Sequence, residues 1–440
     1  MLSIRSHELN GALCACLVLL CVACTGSSTP APAPKVLRIG VDLPLTGSEG
    51  RAATPALNGI TFFVQTHPTM DGFQVVLDAR DDVRGGNPDP ERGVANVNRF
   101  ISDPTVVAMI GPFDSAVARK EIPVANAAGL AMVSPATGNP CLTRDVYIPA
   151  LLNPARTAIS CKAAGLPSSA DLRPSHSNNF FRLTVTDDLQ GAAAADFAYT
   201  RLHVLRAAVI SDRESYGQGL ATAFSARLVN LGGSVLGRID VDPGGSPDVR
   251  DFLARMQADG AQAVYYGGGG GQVCAIRAQM VPLFPAGEET PFLGGDGIAH
   301  DRQCVRAAGS NAAGIYATVP IADATTLSSA TAVLHDFKNA FGSSSAYGPY
   351  SLVAYDATAV LYAALDRAVR AAGMGLPTRA QVVTELARTS GLAGTMGTLG
   401  FDAAGDTTNR VVSVLESPGA DAKSAWKPAG AVDYSARLPY

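Results

Sequence analysis

Apolar segments of strand length alternate with segments of helical periodicity along most of this chain, and this alternation restricts its possible folds more than any other feature. The first series of predicted strands lies at 36–45, 73–82, 105–112 and 130–135, and the second at 179–186, 206–212, 234–241, 261–268 and 290–296. Parallel strands are joined by crossovers that usually contain a helix, so this order predicts parallel sheets with helices on both faces. Two such series predict an α/β protein with two doubly wound lobes.

The N-terminal residues have the layout of an export signal. Arg5 precedes an apolar run that ends in small residues at Cys24, and the run is too short and wrongly flanked for a membrane span. The residues before Cys24 resemble a bacterial lipoprotein cleavage site, so we predict a lipoprotein signal over 1–24 with lipidation of Cys24. An ordinary cleaved signal is the alternative. Residues 25–35 are rich in Ser, Pro and Ala, which predicts an extended tether to the membrane surface.

The chain that follows the tether is too long for one hydrophobic core. Its roughly 405 residues predict two domains. We predict a first lobe formed by 36–186 plus 320–400 and a second lobe formed by 187–319 plus 401–440.

Four cysteines follow Cys24, and they lack the close spacing of a zinc site. Disulfides persist in exported proteins, and the sequence allows three pairings. We predict the sequential pairing, Cys141–Cys161 and Cys274–Cys304, because it closes the shortest loops. The stretch from Cys141 to about Asn178 is rich in Pro, Ser and Asn, which predicts an inserted loop that its own disulfide fixes.

Charge and motifs argue against several classes of function. The formal net charge is −4 and no basic block occurs, which argues against a nucleic-acid partner. The chain has no P-loop, no G-x-S-x-G motif and no H-E-x-x-H motif, and Gly267 to Gly271 lack the Lys-Ser/Thr of a phosphate loop. We therefore expect a binding protein without cofactor or metal, with an exported enzyme as the minority alternative.

The loops after the predicted strands have a composition that suits a small zwitterion. Open parallel sheets bind ligands beyond the carboxyl ends of their strands. Those ends are rich in Gly, Ser, Thr, Asp and Tyr, in the segments 44–50, 111–116, 134–140, 184–191, 211–219, 265–271 and 294–299. Hydroxyls and backbone amides can hold an anion, carboxylates can hold a cation, and a few rings can cover an apolar body.

Several of these segments, in matching order from about Val36 to about Leu415, resemble one known family. The strings "RIGVDLPLTG", "MIGPFDSA", "LAMVSPATGNP", "VISDRESYGQGLATAF", "VYYGGG", "PFLGGDGI" and "AAGIYATVP" are similar to those of ABC-transporter solute-binding proteins for leucine, isoleucine and valine. These are type I periplasmic binding proteins. The resemblance implies two doubly wound lobes joined by three crossings, with the ligand in the cleft and no catalysis.

The resemblance also implies ligand contacts in the first lobe. Ser115 matches a serine that donates to the ligand carboxylate, and Ser134-Pro135-Ala136 matches a segment that supplies backbone contacts. The family has a threonine two residues after that alanine. Here Thr137 comes one place early and Gly138 takes the expected position, which leaves the hydroxyl contact open.

In the second lobe and the long helix after it, the resemblance implies contacts from acidic and aromatic side chains. Asp187 and Asp296 match acidic residues that can face a ligand ammonium, while Tyr216 and Tyr350 match residues near the pocket. Each has a structural alternative. Ser115 and Asp187 can cap helices, Tyr216 and Tyr350 can be packing residues, and Asp296 can be a turn residue.

Two aromatic positions of the family are not aromatic here. A ring that follows "YYGG" is replaced by Gly269, beside Gly268, and a tyrosine of the first loop is replaced by Ala52. The pocket should therefore be wider or more polar than a leucine site. Glu49 or Arg51 can reach into that space, or can be solvated loop charges.

These observations predict an extracytoplasmic lipoprotein that closes on an amino acid or a similar small amphiphile and delivers it to an ABC permease in the membrane. We expect a monomer in the periplasm or at the cell surface. A ligand-sensing domain of the same fold without a transport role is the alternative.

Overall fold

The computed structural model describes residues 35–47, 49–243, 245–342, 346–421 and 425–436, apart from the side chains of Gln272 and Glu288. The predicted signal segment, Cys24 and all of the predicted tether except Lys35 lie outside these ranges.

The first half of the described chain alternates strands and helices, with short strands in the region of the predicted insertion. Its elements are β1 (Lys35–Leu43), α1 (Gly50–Thr66), β2 (Thr69–Met70), β3 (Phe73–Asp81), β4 (Val83–Arg84), β5 (Asn87–Pro88), α2 (Pro90–Ser102), β6 (Val106–Ile110), α3 (Ser115–Ala127), β7 (Ala131–Ser134), β8 (Val146–Ile148), β9 (Ile159–Ser160) and β10 (Phe180–Arg182).

The second half repeats the alternation and ends with a helical block and antiparallel strands. Its elements are α4 (Asp187–Thr200), β11 (Arg206–Asp212), α5 (Ser215–Asn230), β12 (Ser234–Val241), α6 (Arg250–Ala258), β13 (Ala263–Gly267), α7 (Ala275–Met280), β14 (Phe292–Gly294), α8 (Arg302–Ala308), β15 (Ile315–Val319), α9 (Thr331–Phe341), α10 (Tyr350–Ala371), α11 (Arg379–Ala387), β16 (Leu392–Gly394), β17 (Gly397–Leu399), β18 (Val411–Glu416) and β19 (Lys427–Asp433).

The first sheet has six strands in the order β10-β7-β6-β1-β3-β2. All of its pairings are parallel except that of β2 with β3. The central strand β6 is buried along its whole length, as its continuous apolar sequence predicts for a strand covered on both faces. The start of α2 is fixed by its first residues, because Asp89 caps the helix by accepting from the Arg92 amide and Pro90 is its first residue.

The second sheet has seven strands in the order β12-β11-β13-β14-β15-β18-β19. Strands β11 to β15 pair in parallel, and β18 and β19 add in antiparallel orientation at one edge. The two sheets confirm the predicted α/β fold with two parallel-sheet lobes. The order of predicted strands counts the segment 179–186 with the second series, although it lies inside the predicted first lobe of 36–186; in the structure β10 pairs with β7 in the first sheet. Periodicity identifies a strand but does not say which sheet accepts it.

The chain passes between the sheets after β10, after β15 and again before β18. These three connecting segments lie side by side. The Val185 amide donates to the Pro320 carbonyl over 2.8 Å, and the Ser413 amide donates to the Ile321 carbonyl over 3.2 Å. A shared apolar core that contains Ile39 and Ile210 extends across both lobes. The lobes therefore meet along adjacent, mutually hydrogen-bonded connections.

Both predicted disulfides are present. Cys141–Cys161 closes a 20-residue separation inside the insertion, and Cys274–Cys304 joins the residue before α7 to α8. The first disulfide is buried with Tyr147, Leu189 and Val412 in one apolar cluster, so the insertion packs onto the second lobe. Within the described ranges no helix is both long and apolar enough to cross a bilayer.

Candidate functional site

The strand order brings loops of both sheets toward one region. In the first sheet β1 lies between β3 and β6, and in the second sheet β11 lies between β12 and β13. The winding of each sheet reverses beside these strands, and open α/β sheets bind ligands beyond the carboxyl ends of their strands at such points. The loops that leave β1, β6, β11 and β13 contain Glu49, Asp114, Asp212 and the five glycines.

Asp296 is the centre of a hydrogen-bond network that joins the two lobes. Its Oδ1 accepts from Gln190 Nε2 over 2.7 Å and from the Tyr216 hydroxyl over 2.6 Å, and its Oδ2 accepts from the Tyr350 hydroxyl. Gln190 and Tyr216 belong to helices of the second lobe, whereas Tyr350 begins α10, which packs on α1, β6 and β7. The contact of Tyr350 with Asp296 therefore crosses from one lobe to the other.

The two phenols are fixed as hydrogen-bond donors. Burial and the nearby charge of Asp296 raise the pKa of Tyr216 and of Tyr350 well above the usual value for tyrosine. Phe113 packs edge-on against Tyr350 with ring centroids 4.9 Å apart. Both hydroxyls keep their protons at any physiological pH and hold the Asp296 carboxylate in one orientation.

Asp187 lies beside this network and occupies the space above Gly138. It is 2% exposed, and its amide donates to the Gly138 carbonyl over 2.8 Å. A Cβ at Gly138 would lie 1.8 Å from Asp187 Oδ1. Within the described part of the chain Oδ2 has no hydrogen-bond partner. Burial, and then the charge of Asp296, raise the pKa of Asp187 well above its usual range, so a cation at this position would be strongly favoured.

The first-lobe loops are organised by Ser134. Its Oγ donates to the Pro112 carbonyl over 2.8 Å and accepts from the Thr137 amide over 3.0 Å, the Thr137 hydroxyl over 2.8 Å and the Ala136 amide over 3.2 Å. The Thr137 hydroxyl is therefore engaged inside the loop. Ser115 is partly exposed at the start of α3, and its Oγ accepts from the Asn139 amide over 3.2 Å.

The pentaglycine contains both closely packed and open positions. A Cβ at Gly267 would lie 2.2 Å from the Gly217 carbonyl oxygen, and one at Gly268 would lie 2.3 Å from Asp212 Oδ2. Asp212 Oδ2 in turn accepts from the Gly269 amide over 3.1 Å. No atom of the described residues lies within 4 Å of a Cβ placed on Gly269, so at this glycine a side chain is missing rather than excluded.

Carboxylates accumulate on the first-lobe side as well. Glu49 precedes α1, and burial together with the charges of Asp114 and Asp296 raises its pKa to about 8. Arg51, at the start of the helix, is exposed and donates to Gln303 Oε1 of α8 over 2.6 Å. Glu49 is partly exposed, and Arg51 forms a second contact between the lobes.

A family model described as periplasmic binding protein matches residues 36–422. The chain belongs to the periplasmic binding protein family. The curated Leu/Ile/Val-binding protein homolog 2 of Brucella abortus is 27% identical over 266 residues, which are 60% of this chain and 61% of the relative. An amino acid binding protein of Pseudomonas aeruginosa is 27% identical over 300 residues, 67% of this chain and 68% of the relative.

Solved structures show the same fold. The leucine binding protein LivK of Thermotoga maritima superimposes with a TM-score of 0.69 at 24% identity, covering 90% of this chain and 99% of that one. The predicted resemblance to solute-binding proteins of the Leu/Ile/Val type is confirmed. A periplasmic binding protein is not an enzyme, so the alternative of an exported α/β enzyme is wrong.

The helix-capping alternatives are wrong for both residues to which they applied. Asp114 caps α3, with its Oδ1 accepting from the amides of Ala116 and Val117, and Ser115 is the first helical residue. Thr186 occupies the cap position of α4, so Asp187 already lies inside that helix. Four of the predicted site residues lie together in this periplasmic binding protein: Asp187, Tyr216, Asp296 and Tyr350. Gly268, by contrast, packs against Asp212.

Two parts of the site were missed by sequence reasoning. Gln190 is absent from the predicted set, although its position one turn after Asp187 places both on one face of α4. A buried ion pair of Arg182 with Asp406, 2.8 Å apart, supports the loop, because Arg182 also donates to the carbonyls of Thr137 and Asn139. Burial alone would raise the pKa of Asp406, but the guanidiniums of Arg182 and Arg144 hold it at about 2.

The described residues contain no metal cluster at the site, and a separate cavity lies away from it. No group of three or more His, Cys, Asp or Glu side chains in that part of the chain is placed to hold a metal ion. A cavity of about 490 Å³ lies between the hinge segment near Asp323 and the side chains of His300 and Trp426, and it is lined by none of the predicted site residues.

Proposed function

We propose that this chain is the extracytoplasmic solute-binding component of an ABC importer and that it binds an amino acid between its lobes. The network of Asp296 with Gln190, Tyr216 and Tyr350 is the observation that carries the proposal, together with the Asp187 oxygen that has no partner among the described residues. The Asp296 and Asp187 carboxylates supply acceptors for an ammonium within a partly desolvated region, where a charge-assisted hydrogen bond contributes about 1.5–3 kcal/mol.

The opposite side of the cleft suits the carboxylate of the same ligand. The Ser115 hydroxyl is the donor in this part of the proposed site, and it belongs to the first lobe. The amides of Ala136 and Thr137 already donate to Ser134 Oγ, so a contact from the backbone at Ala136 would have to replace those bonds. A ligand held by its carboxylate there and by its ammonium at Asp187 and Asp296 would contact both lobes. Such contacts exist only when the lobes are closed, and they shift the population toward the closed form.

The remaining parts of the proposal follow from the N-terminus and from the relatives. Lipidation of Cys24 would keep a monomeric binding protein at the membrane, in the periplasm or at the cell surface, within reach of an ABC permease. The relatives named as Leu/Ile/Val-binding and amino acid binding proteins support an amino-acid ligand.

A thermal-shift screen with amino acids, amides and aromatic acids tests the proposal. A ligand at 100 times its Kd stabilises the folded protein by about 2.7 kcal/mol, which moves the melting temperature by a measurable amount. Asp296→Asn should abolish the shift, whereas Asp248→Asn, at an exposed residue paired with Arg250, should leave it intact. A screen in which no amino acid stabilises the wild-type protein would remove the support for this function.

A further inference from the structure

The cavity of about 490 Å³ beside the hinge is separate from the proposed amino-acid site. Protein interiors leave few voids larger than a water molecule, whereas cavities of about 300–1,000 Å³ are typical of small-molecule sites. No residue of the proposed amino-acid site lines the cavity. A molecule bound there would therefore leave the contacts of the amino-acid site untouched.

The walls of the cavity come from both lobes. Lys338 and Tyr347 form its first-lobe side. Their helix α9 belongs with that lobe, since Phe337 packs edge-on against Phe62 of α1 with ring centroids 5.5 Å apart. Trp426, which directly precedes β19, lies on the second-lobe side. An occupant would therefore contact both lobes next to the hinge.

The wall is predominantly apolar and contains several rings. Trp426 is only 7% exposed, and the His300 imidazole lies beside it with ring centroids 6.4 Å apart. Tyr347 packs edge-on against Phe337, with 6.1 Å between the ring centroids. Aromatic rings bury large areas and pack well against one another, so this wall suits a planar aromatic body.

Two donors on the first-lobe wall are available to an anion. The Lys338 ammonium lies 5.7 Å from the centre of the Tyr347 ring, and no carboxylate in the described part of the chain is within ion-pair distance of it. Burial and the charge of Asp323 raise the pKa of Tyr347 above the usual value for tyrosine, so its hydroxyl keeps its proton. No described residue forms a hydrogen bond with that hydroxyl. An ammonium and a phenol on one wall can hold a carboxylate by charge-assisted hydrogen bonds.

The carboxylate of the lining already has donors of its own. Among the described lining residues Asp323 alone is acidic, and its Oδ1 accepts from the Thr325 amide over 2.9 Å and from the Thr325 hydroxyl over 2.8 Å. We infer that the cavity is a second binding site for a small planar aromatic carboxylate, with the ring against Trp426 and the anion toward Lys338 and Tyr347. This inference goes beyond the proposed function and does not depend on it.

Tryptophan fluorescence tests the inference, because Trp426 is the only tryptophan of the chain. The titrants are cinnamate, its neutral analogue cinnamamide, and cyclohexylacrylate, which keeps the carboxylate but lacks the aromatic ring. We expect cinnamate to change the emission and to bind at least tenfold more tightly than either analogue. Unchanged emission with cinnamate at millimolar concentration overturns the inference. Cinnamamide that binds as tightly as cinnamate overturns the anionic assignment, and cyclohexylacrylate that does so overturns the aromatic one.

A variant of the first-lobe wall provides the second test. Lys338→Met should weaken cinnamate at least tenfold and leave cinnamamide unchanged, while Lys338→Arg should retain cinnamate binding. Lys120→Met, at an exposed residue of α3, is the matched control and should change neither. Equal cinnamate affinity in wild type and Lys338→Met places the ligand elsewhere and overturns the site. The stabilisation by amino acids that tests the proposed function should persist in Lys338→Met, so the two results are distinguishable.

Discussion

We expect Asp82→Asn to stabilise the protein increasingly as the pH rises from 4 to 7. Asp82 directly follows β3, has no exposed surface, and neither of its carboxylate oxygens has a hydrogen-bond partner in the described part of the chain. Burial, then the charges of Asp42, Glu49 and Asp114, raise its pKa from 3.8 to about 8. Asparagine has nearly the same shape and carries no charge.

The direction and size of the effect follow from proton linkage. Between its unfolded pKa of 3.8 and its folded pKa of about 8, Asp82 holds a proton that the unfolded chain has released. The loss of folding stability caused by Asp82 is therefore absent at low pH and grows as the pH rises toward 8. Each pH unit in this window corresponds to about 1.4 kcal/mol, so the cost reaches about 4 kcal/mol at pH 7.

Urea denaturation followed by circular dichroism at pH 4, 5, 6 and 7 measures this cost. The buried amide that the substitution introduces changes the free energy of unfolding by an amount that does not vary with pH. The informative quantity is therefore how the difference in unfolding free energy between variant and wild type changes with pH. That difference should grow by about 4 kcal/mol in favour of Asp82→Asn. Asp103→Asn is a suitable control, because hydrogen bonds from Thr105 lower the pKa of Asp103 and its removal should destabilise at neutral pH. Parallel curves for wild type and Asp82→Asn would refute the reasoning.

Two further substitutions test the site itself. Gly138→Ala should destabilise the protein by about 1–3 kcal/mol in urea denaturation, because its Cβ would overlap Asp187 Oδ1. Gly269→Ala should change the stability by less than about 0.5 kcal/mol, because no described atom lies within 4 Å of its Cβ. Equal effects of the two substitutions would contradict the packing argument. Tyr350→Phe removes the donor that joins the lobes at Asp296, so small-angle scattering should show a larger ligand-free radius of gyration and calorimetry a tenfold or greater loss of ligand affinity, and an unchanged radius would show that this contact does not hold the lobes together.

The sheets and disulfides could be predicted because their signals are local. An unbroken apolar run such as that of β6 is buried on both faces wherever it is placed, and the sequential cysteine pairs close short loops. The order of strands alone did not identify the sheet that accepts β10, because its pairing with β7 depends on where a long insertion returns the chain.

The site could be predicted only in part, for a related reason. The resemblance to the family pointed to Asp187, Tyr216, Asp296 and Tyr350, and the structure brings them together. The support of the loop by Arg182 and Asp406 could not be found, since these residues lie 224 positions apart and neither stands in a recognisable motif. An ion pair between residues far apart in the chain leaves no repeating pattern in the sequence by which it could be recognised.

The exchange at Gly138 changes the chemistry of the cleft rather than only its size. The resemblance places a threonine at this position, whose hydroxyl can donate to a ligand. Here the Thr137 hydroxyl, one residue earlier, donates to Ser134 inside the loop. The space of the missing side chain is occupied by the Asp187 carboxylate, since a Cβ on Gly138 would lie 1.8 Å from its Oδ1. Glycine at this position therefore removes a hydroxyl donor and leaves its space to the Asp187 carboxylate, an acidic position that the resemblance also places in the family. Without the donor beside it, this carboxylate should bind the cationic end of a ligand more strongly than in a threonine-containing relative.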